Sequence, residues 1–548
     1  MNESPDKKPP QDLLDWLGIS NAPNWWVARL LGRTMGAALV LLFALALYAT
    51  FAVLVRAIFG GEVSLGVGGL IAAILGAPFL IWGTVLKHQT VRYQKEGHMT
   101  DRIAKAVEQL GVEKTVKKDG TEDTVPNLEV RMGAILSLER IAQDSTIHDK
   151  GRDHVMVMQI LCEYIRENSN ARTPQDHPYG EWEPLEDDAT EEERATHEAL
   201  RKARLDPRYA LTRQWAQTLP KPRADVQLAL KVIGRRSARQ RLVEAAWPNP
   251  PDAATRWPFD PDFQRLPDKP GETALTLAQI EAFKAGLAAW KQTCADYRGY
   301  RLDLRGANLQ GADLAAGQPD GSDAVFSGAR LYEARMEGAR LFRARMEGAS
   351  LDGARMEGAS LIMARVEGAR LEGARMEGAS LYEAGMEGAR LDGARMEGAS
   401  LYWAWMEGAS FDGARLEAAS FYRARMEGAS LDEARMEGAS LYRARMEGAS
   451  LTEARMEGAN LHGARMEGAS LHGARMEGAV LRDTNLSGAT GLTPEHLATS
   501  FGDGSVVLPE GLEPPAHWPK HRLSPRDFNT ERDRWRASPS TYTPPSPP

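Results

Sequence analysis

From Ala324 to Leu486 the chain keeps one hydrophobic beat. Every fifth residue is Leu, Met or occasionally Phe or Val, as at Phe326, Leu331, Met336 and Leu341. Two residues before each stands Ala, until Thr484 takes that place. Two phrasings alternate, Ala-Arg-Met-Glu-Gly and Ala-Ser-Leu-x-x, so the fuller period is ten. An amphipathic helix repeats about every 3.6 residues and a strand about every 2. Five fits a chain that turns a corner every fifth residue. Four such sides close a square coil of roughly twenty residues, stacked at about 4.8 Å, the strand spacing. Large residues at the side centres and Ala near the corners would fill its narrow interior.

Elsewhere the pattern changes. Residues 1–34 gather Leu13, Leu14, Trp16, Leu17 and Ile19 before Trp25 and Trp26, which predicts a short amphipathic segment lying on a membrane. Residues 35–55 and 65–86 are long enough to cross a bilayer, so 35–88 reads as a transmembrane hairpin. Gly69, Ala73 and Gly76 would let the two helices approach closely. Residues 89–168 read as helical, with helices over 100–110, after Asn127 and over 153–166. Their expected core is Leu128, Met132, Ile135, Leu138 and Ile141, then Val155, Met158, Leu161, Cys162 and Ile165, with Arg131, Glu139 and Arg140 on a solvated face.

Residues 169–222 read as a charged linker with one helix near 190–204. In 223–300 a helix from Ala224 stops at Gly234, a Pro-rich loop covers 247–272, and a helix from Thr276 to Ala295 carries Leu277, Ile280, Phe283, Leu287 and Trp290 on one side. That last helix is expected to cap or lean on the open end of the coil stack. Residues 315–323 break the repeat register and should form a loop within the repeat domain, 301–490. Residues 491–519 are expected as the far cap and 520–548 as a disordered tail.

An opening piece, Leu304, Ala307-Asn308-Leu309 and Ala312-Asp313-Leu314, introduces the long run. With it, about a third of the chain resembles the pentapeptide-repeat family, whose pattern is Ala-(Asp/Asn)-Leu-x-x. The resemblance implies a right-handed quadrilateral β-helix. The main run departs by using Arg or Ser for Asp/Asn and Met at alternate centres. The wording near Glu129 to Ala142 is similar to HEAT-type helices, and to the segment that joins membrane hairpins to pentapeptide repeats in related bacterial proteins. A fold of this kind does not name a function.

Charge sets the topology. Lys7, Lys8, Arg29 and Arg33 precede the first span, and Lys87, Arg92 and Lys95 follow the second, with Arg56 and Glu62 between. Positive flanks stay inside, so the expectation is a multi-pass protein of the bacterial inner membrane with both termini cytoplasmic. Neither span carries an ionisable residue, which disfavours transport. The net charge is −8, without the basic footprint of nucleic-acid binding. The two cysteines, Cys162 and Cys294, lie far apart and suit a reducing compartment.

Residues twenty apart stack, so each position writes a column. Arg335, Arg355, Arg375 and Arg395 stand beside Glu337, Glu357, Glu377 and Glu397, read here as an exposed wall whose pairs contribute about 0–1 kcal/mol each. One further face is acidic: Asp352, Glu372, Asp392, Asp412 and Asp432. The opposite one is apolar and aromatic: Phe342, Ile362, Tyr382, Tyr402, Tyr422 and Tyr442, with Trp403 and Trp405 beside Tyr402. Trp405 replaces an Arg, and Gly385 removes another one coil away. Tyr382, Tyr402, Trp403, Trp405, Tyr422 and Tyr442 are therefore the candidate protein-contact face, set against internal ring stacking that stiffens the rod with no partner.

No nucleophile–base pair, phosphate loop or metal set is present in the sequence, and His462 and His472 fall on opposite faces. Neither catalysis nor a cofactor is expected. The functional reading is a membrane-anchored cytoplasmic scaffold for protein–protein interaction. Its partners would be the bilayer and a protein of unknown identity, or a second copy bound through the aromatic face; nucleic acid is not expected. The alternative is a DNA-mimic modulator of a type II topoisomerase, as some pentapeptide-repeat proteins are.

Overall fold

The computed structural model describes residues 99–118, 121–178, 211–267, 275–315 and 323–546, with scattered positions between 40 and 87 and between 190 and 199. The chain divides into two units, 1–105 and 106–548. In the first, residues 47–56 are helical, and Tyr48, Phe51 and Leu54 face outward. The amphipathic segment 1–34 and, apart from Gly76, the expected span 65–86 lie outside the described residues. Among the described residues no helix is long and apolar enough to cross a membrane.

The second unit is organised by the repeats. Each side pairs in parallel with the side twenty residues on: Arg335 with Arg355, Arg340 with Ser360, Arg345 with Arg365, Ser350 with Arg370. The bonds alternate up and down, as Met336 N–H to Arg355 O at 2.6 Å and Arg355 N–H to Ala334 O at 2.9 Å. The first coil pairs across 27 residues, Asp303 with Arg330, because the chain inserts extra residues after Ala315. The side centres are sealed, Met396, Leu401, Met406 and Phe411 all being 0 % exposed. Met396→Asp would place a charge there without a partner and is expected to cost several kcal/mol, while Met396→Leu is expected to be nearly neutral. Thermal melts of the two variants check this, and equal tolerance of both would contradict the enclosed interior.

A coil stack has two bare ends, and both are covered. A hairpin, β1 (Glu113–Lys118) with β2 (Thr121–Pro126), leads into α1 (Leu128–His148) and α2 (His154–Asn170). Further on come α3 (Leu211–Thr218), α4 (Ala224–Gly234) and α5 (Ala238–Ala246). The α1, α2, α4 and α5 bundle buries Ile135, Leu138, Leu161 and Ile233. It also receives the upward N–H groups of the first coil. Asn308 donates to Ser169 Oγ and Asn170 Oδ1, Asp313 to Gln227 Oε1, and Val325 to the Gly234 carbonyl at 2.7 Å. Buried backbone donors need such partners.

Several expectations are corrected here. The hairpin breaks the helical reading of 89–168. Arg131 is buried, donating to Val112 O and Asn168 Oδ1 at 3.1 Å each, and Glu139 pairs with Arg235, so neither lies on a solvated face. The stretch 169–222 holds α3, and its Asp176 pairs with Arg335. The bundle caps the stack, while α6 (Leu277–Ala295) does not. Instead α6 runs along one corner of the rod, Trp290 over Gly368, Leu287 over Gly388 and Gly408, Ile280 over Gly428, Leu277 over Gly448 and Gly468. Nineteen helical residues span about 28 Å at about 1.5 Å each, and five coil steps about 24 Å, so the lengths match. At Gly388 (φ +64) the turn is left-handed and an added Cβ would meet Leu287 at 2.6 Å, so Gly is required twice over.

The far end is capped by α7 (Pro494–Ala498), by Phe501 and Val507 pairing with the last coil, and by α8 (Pro525–Ala537). Val480, Phe501, Leu523, Phe528 and Trp535 form one apolar cluster. The tail after 520 was expected to be disordered. Its Phe528 and Trp535, two helical turns apart, seal the last coil instead.

Candidate protein-contact face

Of the rod's four corners one is acidic, one is aromatic, and two carry ladders of Glu and Arg. The sequence reading placed both residues on an exposed wall. The turn at each corner instead tucks the carboxylate inward: Glu357, Glu367, Glu397 and Glu447 are at most 1 % exposed. Each Arg lies over the Glu of the coil before, Arg375 Nε to Glu357 at 2.9 Å, Arg415 to Glu397 at 3.0 Å, Arg435 to Glu417 at 3.1 Å. Stacked carboxylates also face one another. Burial, then Glu377 and Glu337, push the Glu357 carboxyl up to about 7. Burial, then the adjacent carboxylates, push Glu367 and Glu397 up to about 8.

One ladder has gaps. Gly385 and Trp405 stand where Arg would continue the column Arg345, Arg365, Arg425. Arg265, from the loop before α6, fills the first gap, with Nη2 2.6 Å from Glu367 and Nε 3.0 Å from Glu387. Its guanidinium also lies over the Trp405 ring, 5.1 Å from the centroid, and Arg425 lies over the same ring at 5.7 Å. Gly385 therefore makes room for the chain's own Arg265. The arginine missing at Gly385 is thus supplied from within the chain.

The aromatic column is a real surface feature. Tyr422 and Tyr442 stack at 5.3 Å and 3°, Tyr402 and Tyr422 at 5.3 Å and 32°, and Tyr442 continues onto His462 at 4.7 Å. Trp403 meets Tyr422 edge-on at 6.5 Å and takes Arg423 over its ring at 4.7 Å. Tyr382 shares the corner by register, since Glu383 N–H bonds to the Tyr402 carbonyl. Trp405 lies one side further round and is only half-buried beneath its two arginines. Phe342, Met363, Tyr402 and Trp403 are the exposed members, at 39–41 %. Met363 escaped the sequence reading, although it follows Ile362 at the same corner position as Trp403. Trp403 has φ +59, a left-handed turn shared at this corner by Arg343, Met363, Glu383, Arg423 and Arg443, where the acidic corner uses Gly353, Gly373, Gly393 and Gly413 and then Glu433 and Glu453.

The rod is thus a square stack of short parallel bridges with sealed Leu and Met centres, and Tyr402 and Trp403 sit at one corner of it while Trp405 lies on the next side. The family model for pentapeptide repeats matches eight copies over 322–490. Among solved structures, the chain is similar to HetL, a pentapeptide repeat protein involved in heterocyst differentiation regulation from the cyanobacterium Nostoc, at 26% identity, 41% of this chain, 97% of that one and a TM-score of 0.28. It is similar to QnrB1, a plasmid-mediated fluoroquinolone resistance protein, at 18% identity over 32% and 89%, with a TM-score of 0.26. A pentapeptide repeat protein from the Arabidopsis thaliana thylakoid lumen is 33% identical over 16% and 63%, with a TM-score of 0.12. No curated protein sequence matches the chain.

Proposed function

We propose that this protein is a membrane-anchored, non-catalytic rod that binds a protein partner through its aromatic corner. The observation that carries the reading is Trp403. A large ring held in a left-handed turn stores backbone strain on the order of 1–2 kcal/mol, yet it stays 40 % exposed. The left-handed turn is common to this corner, but Trp403 is the one aromatic ring placed on it among Arg343, Met363, Glu383, Arg423 and Arg443, and the stacking of Tyr402, Tyr422 and Tyr442 does not require it. Exposed Trp and Tyr in one strip are the common anchors of protein interfaces.

The anchor rests on the apolar stretches 35–55 and 65–86, and on the outward-facing Tyr48, Phe51 and Leu54 in the described part of the first. A reporter joined after Lys87 is expected to be active only in its cytoplasmic form. Periplasmic activity at that point would overturn the topology.

A DNA mimic would need a surface dominated by negative charge. Here the Glu ladders are buried under arginines, and the acidic corner is a single strip shared with Arg370 and Arg390. The interaction rod is therefore favoured over the topoisomerase modulator. A photo-crosslinking residue at Tyr442 of the full chain, in cells, is expected to give one discrete protein adduct, and the same residue at Asp432 on the acidic corner none. Equal labelling at both positions, or none at either, would remove the reading.

A further inference from the structure

Helix α6 also walls a cleft. Between it and the side carrying Arg330, Ser350, Arg370 and Arg390 lies an open space of about 780 Å³. Six cations line it: Lys284 and Lys291 from α6, Arg301 from the approach to the first coil, and Arg330, Arg370 and Arg390 from the coils themselves. Among the described residues that line it, none is a carboxylate. Asp352 partly neutralises Arg370 at 3.1 Å, Glu372 does so for Arg390 at 3.3 Å, and Glu281 stands 3.8 Å from Lys284. Among the described residues no carboxylate pairs with Arg330, Arg301 or Lys291 within 4.0 Å.

The cleft is built rather than incidental. Arg301 donates to the carbonyls of Cys294 at 2.9 Å and Gly328 at 3.2 Å, and lies 5.0 Å from the ring centres of both Phe259 and Tyr297. Lys291 donates to the Gly388 carbonyl at 2.7 Å. Burial, then the charge of Arg390, pull the Lys291 ammonium below its ordinary range, with Asp392 opposing. The cations thus repel one another across a space that has the volume of a small-molecule site.

Arg330, Arg370 and Arg390 lie on one side of the rod, with Ser350 on the coil between the first two, so their charges are spread over about 14 Å at about 4.8 Å per coil. One phosphate cannot reach them all, and guanidinium forks match phosphoryl oxygens. We propose that this cleft binds a small soluble anion carrying two or more linked phosphates, gripped by Arg330 and Arg390 and floored by Lys291 and Arg301.

The test is calorimetry on the full-length protein in detergent at low salt, with inorganic phosphate, pyrophosphate and tripolyphosphate as probes. One site per chain is expected, tighter for the longer probes. The double change Arg330→Gln and Arg390→Gln should weaken it about 100-fold, at about tenfold per charge-assisted contact. The same loss of charge at Arg340→Gln and Arg443→Gln, on other parts of the rod, should leave the affinity unchanged. Absence of binding at millimolar pyrophosphate, or equal weakening by both pairs, would overturn the proposal. Protection of Lys291 from acetylation by pyrophosphate gives a readout without any substitution. Unchanged labelling there would contradict the proposal as well.

Discussion

Replacing Arg265 with Ala is expected to destabilise the rod by about 2 kcal/mol at pH 9, and much less at pH 6. Arg265 is the guanidinium that spans Glu367 and Glu387 where the ladder lacks its own. Removing one partner of a fully buried pair costs about 3–5 kcal/mol, and the 40 % exposure of the Arg265 side chain reduces that. The pH dependence follows from the carboxyl. Glu367 is pushed up to about 8 in the fold, above its ordinary 4.5. A carboxyl with a raised folded value contributes stability that is fully present below the unfolded value and is lost as pH rises through the folded one. At pH 6 Glu367 is neutral and misses Arg265 little. At pH 9 it is ionised, buried and short of a partner. Gly385→Arg in the same chain should restore most of the loss. The Gly385 backbone is not left-handed, and an added Cβ would meet only the far ends of Glu367 and Glu387, at 3.1 and 3.3 Å. Thermal melts at pH 6, 7.5 and 9 of the three chains decide it. A loss independent of pH, or no rescue, would contradict the ladder. In the unsubstituted protein the same carboxyls should make the melting temperature fall between pH 6 and pH 9.

A chain ending at Lys520 is expected to form larger assemblies than the full chain does. Phe528 and Trp535 cover Phe501 and Val480 on the last coil, and Arg536 donates to the Gly478 carbonyl at 2.7 Å. Without them the stack ends in an apolar face and an open edge, which recruits further chains. The milder change Phe528→Ala should cost about 3 kcal/mol through transfer and cavity terms. Sedimentation velocity would show oligomers for the truncated chain. The same assembly state as the full chain, with an unchanged melt, would mean that the tail is no cap.

The repeat was legible because a period of five excludes both helix and flat strand, and the coil register followed from it. Asn127 was legible as a cap and accepts the Val130 N–H in the structure. The position of α6 was not. Its apolar side was plain, but amphipathicity does not say what a side packs on. The recurring glycines from Gly348 to Gly468 held that information, since the Cβ they lack is where α6 lies. The Glu column is buried because the corner turn begins at Glu357 itself, so Arg355 and Glu357, though two residues apart, do not share one exposed face. Arg265 is 120 residues from Gly385. Only the two missing arginines of the column pointed toward a substitute, and nothing local pointed to its source. Trp405 was grouped with Tyr402 by sequence nearness, but the bridge at 405 carries it onto the next side.

The account rests most on the aromatic corner being a contact surface rather than a brace. The decisive measurement uses the full chain with the crosslinking residue at Tyr442, with and without Tyr402→Ser and Trp403→Gly. Trp403→Gly relieves a left-handed Trp and loses the contact with Arg423, terms of similar size and opposite sign. The melting temperature should therefore shift by less than about 4 °C, the equivalent of about 1 kcal/mol in a domain of this size, while the protein adduct disappears. A sharp fall in melting temperature with the adduct intact would show that the rings only brace the rod, and the contact reading would be wrong.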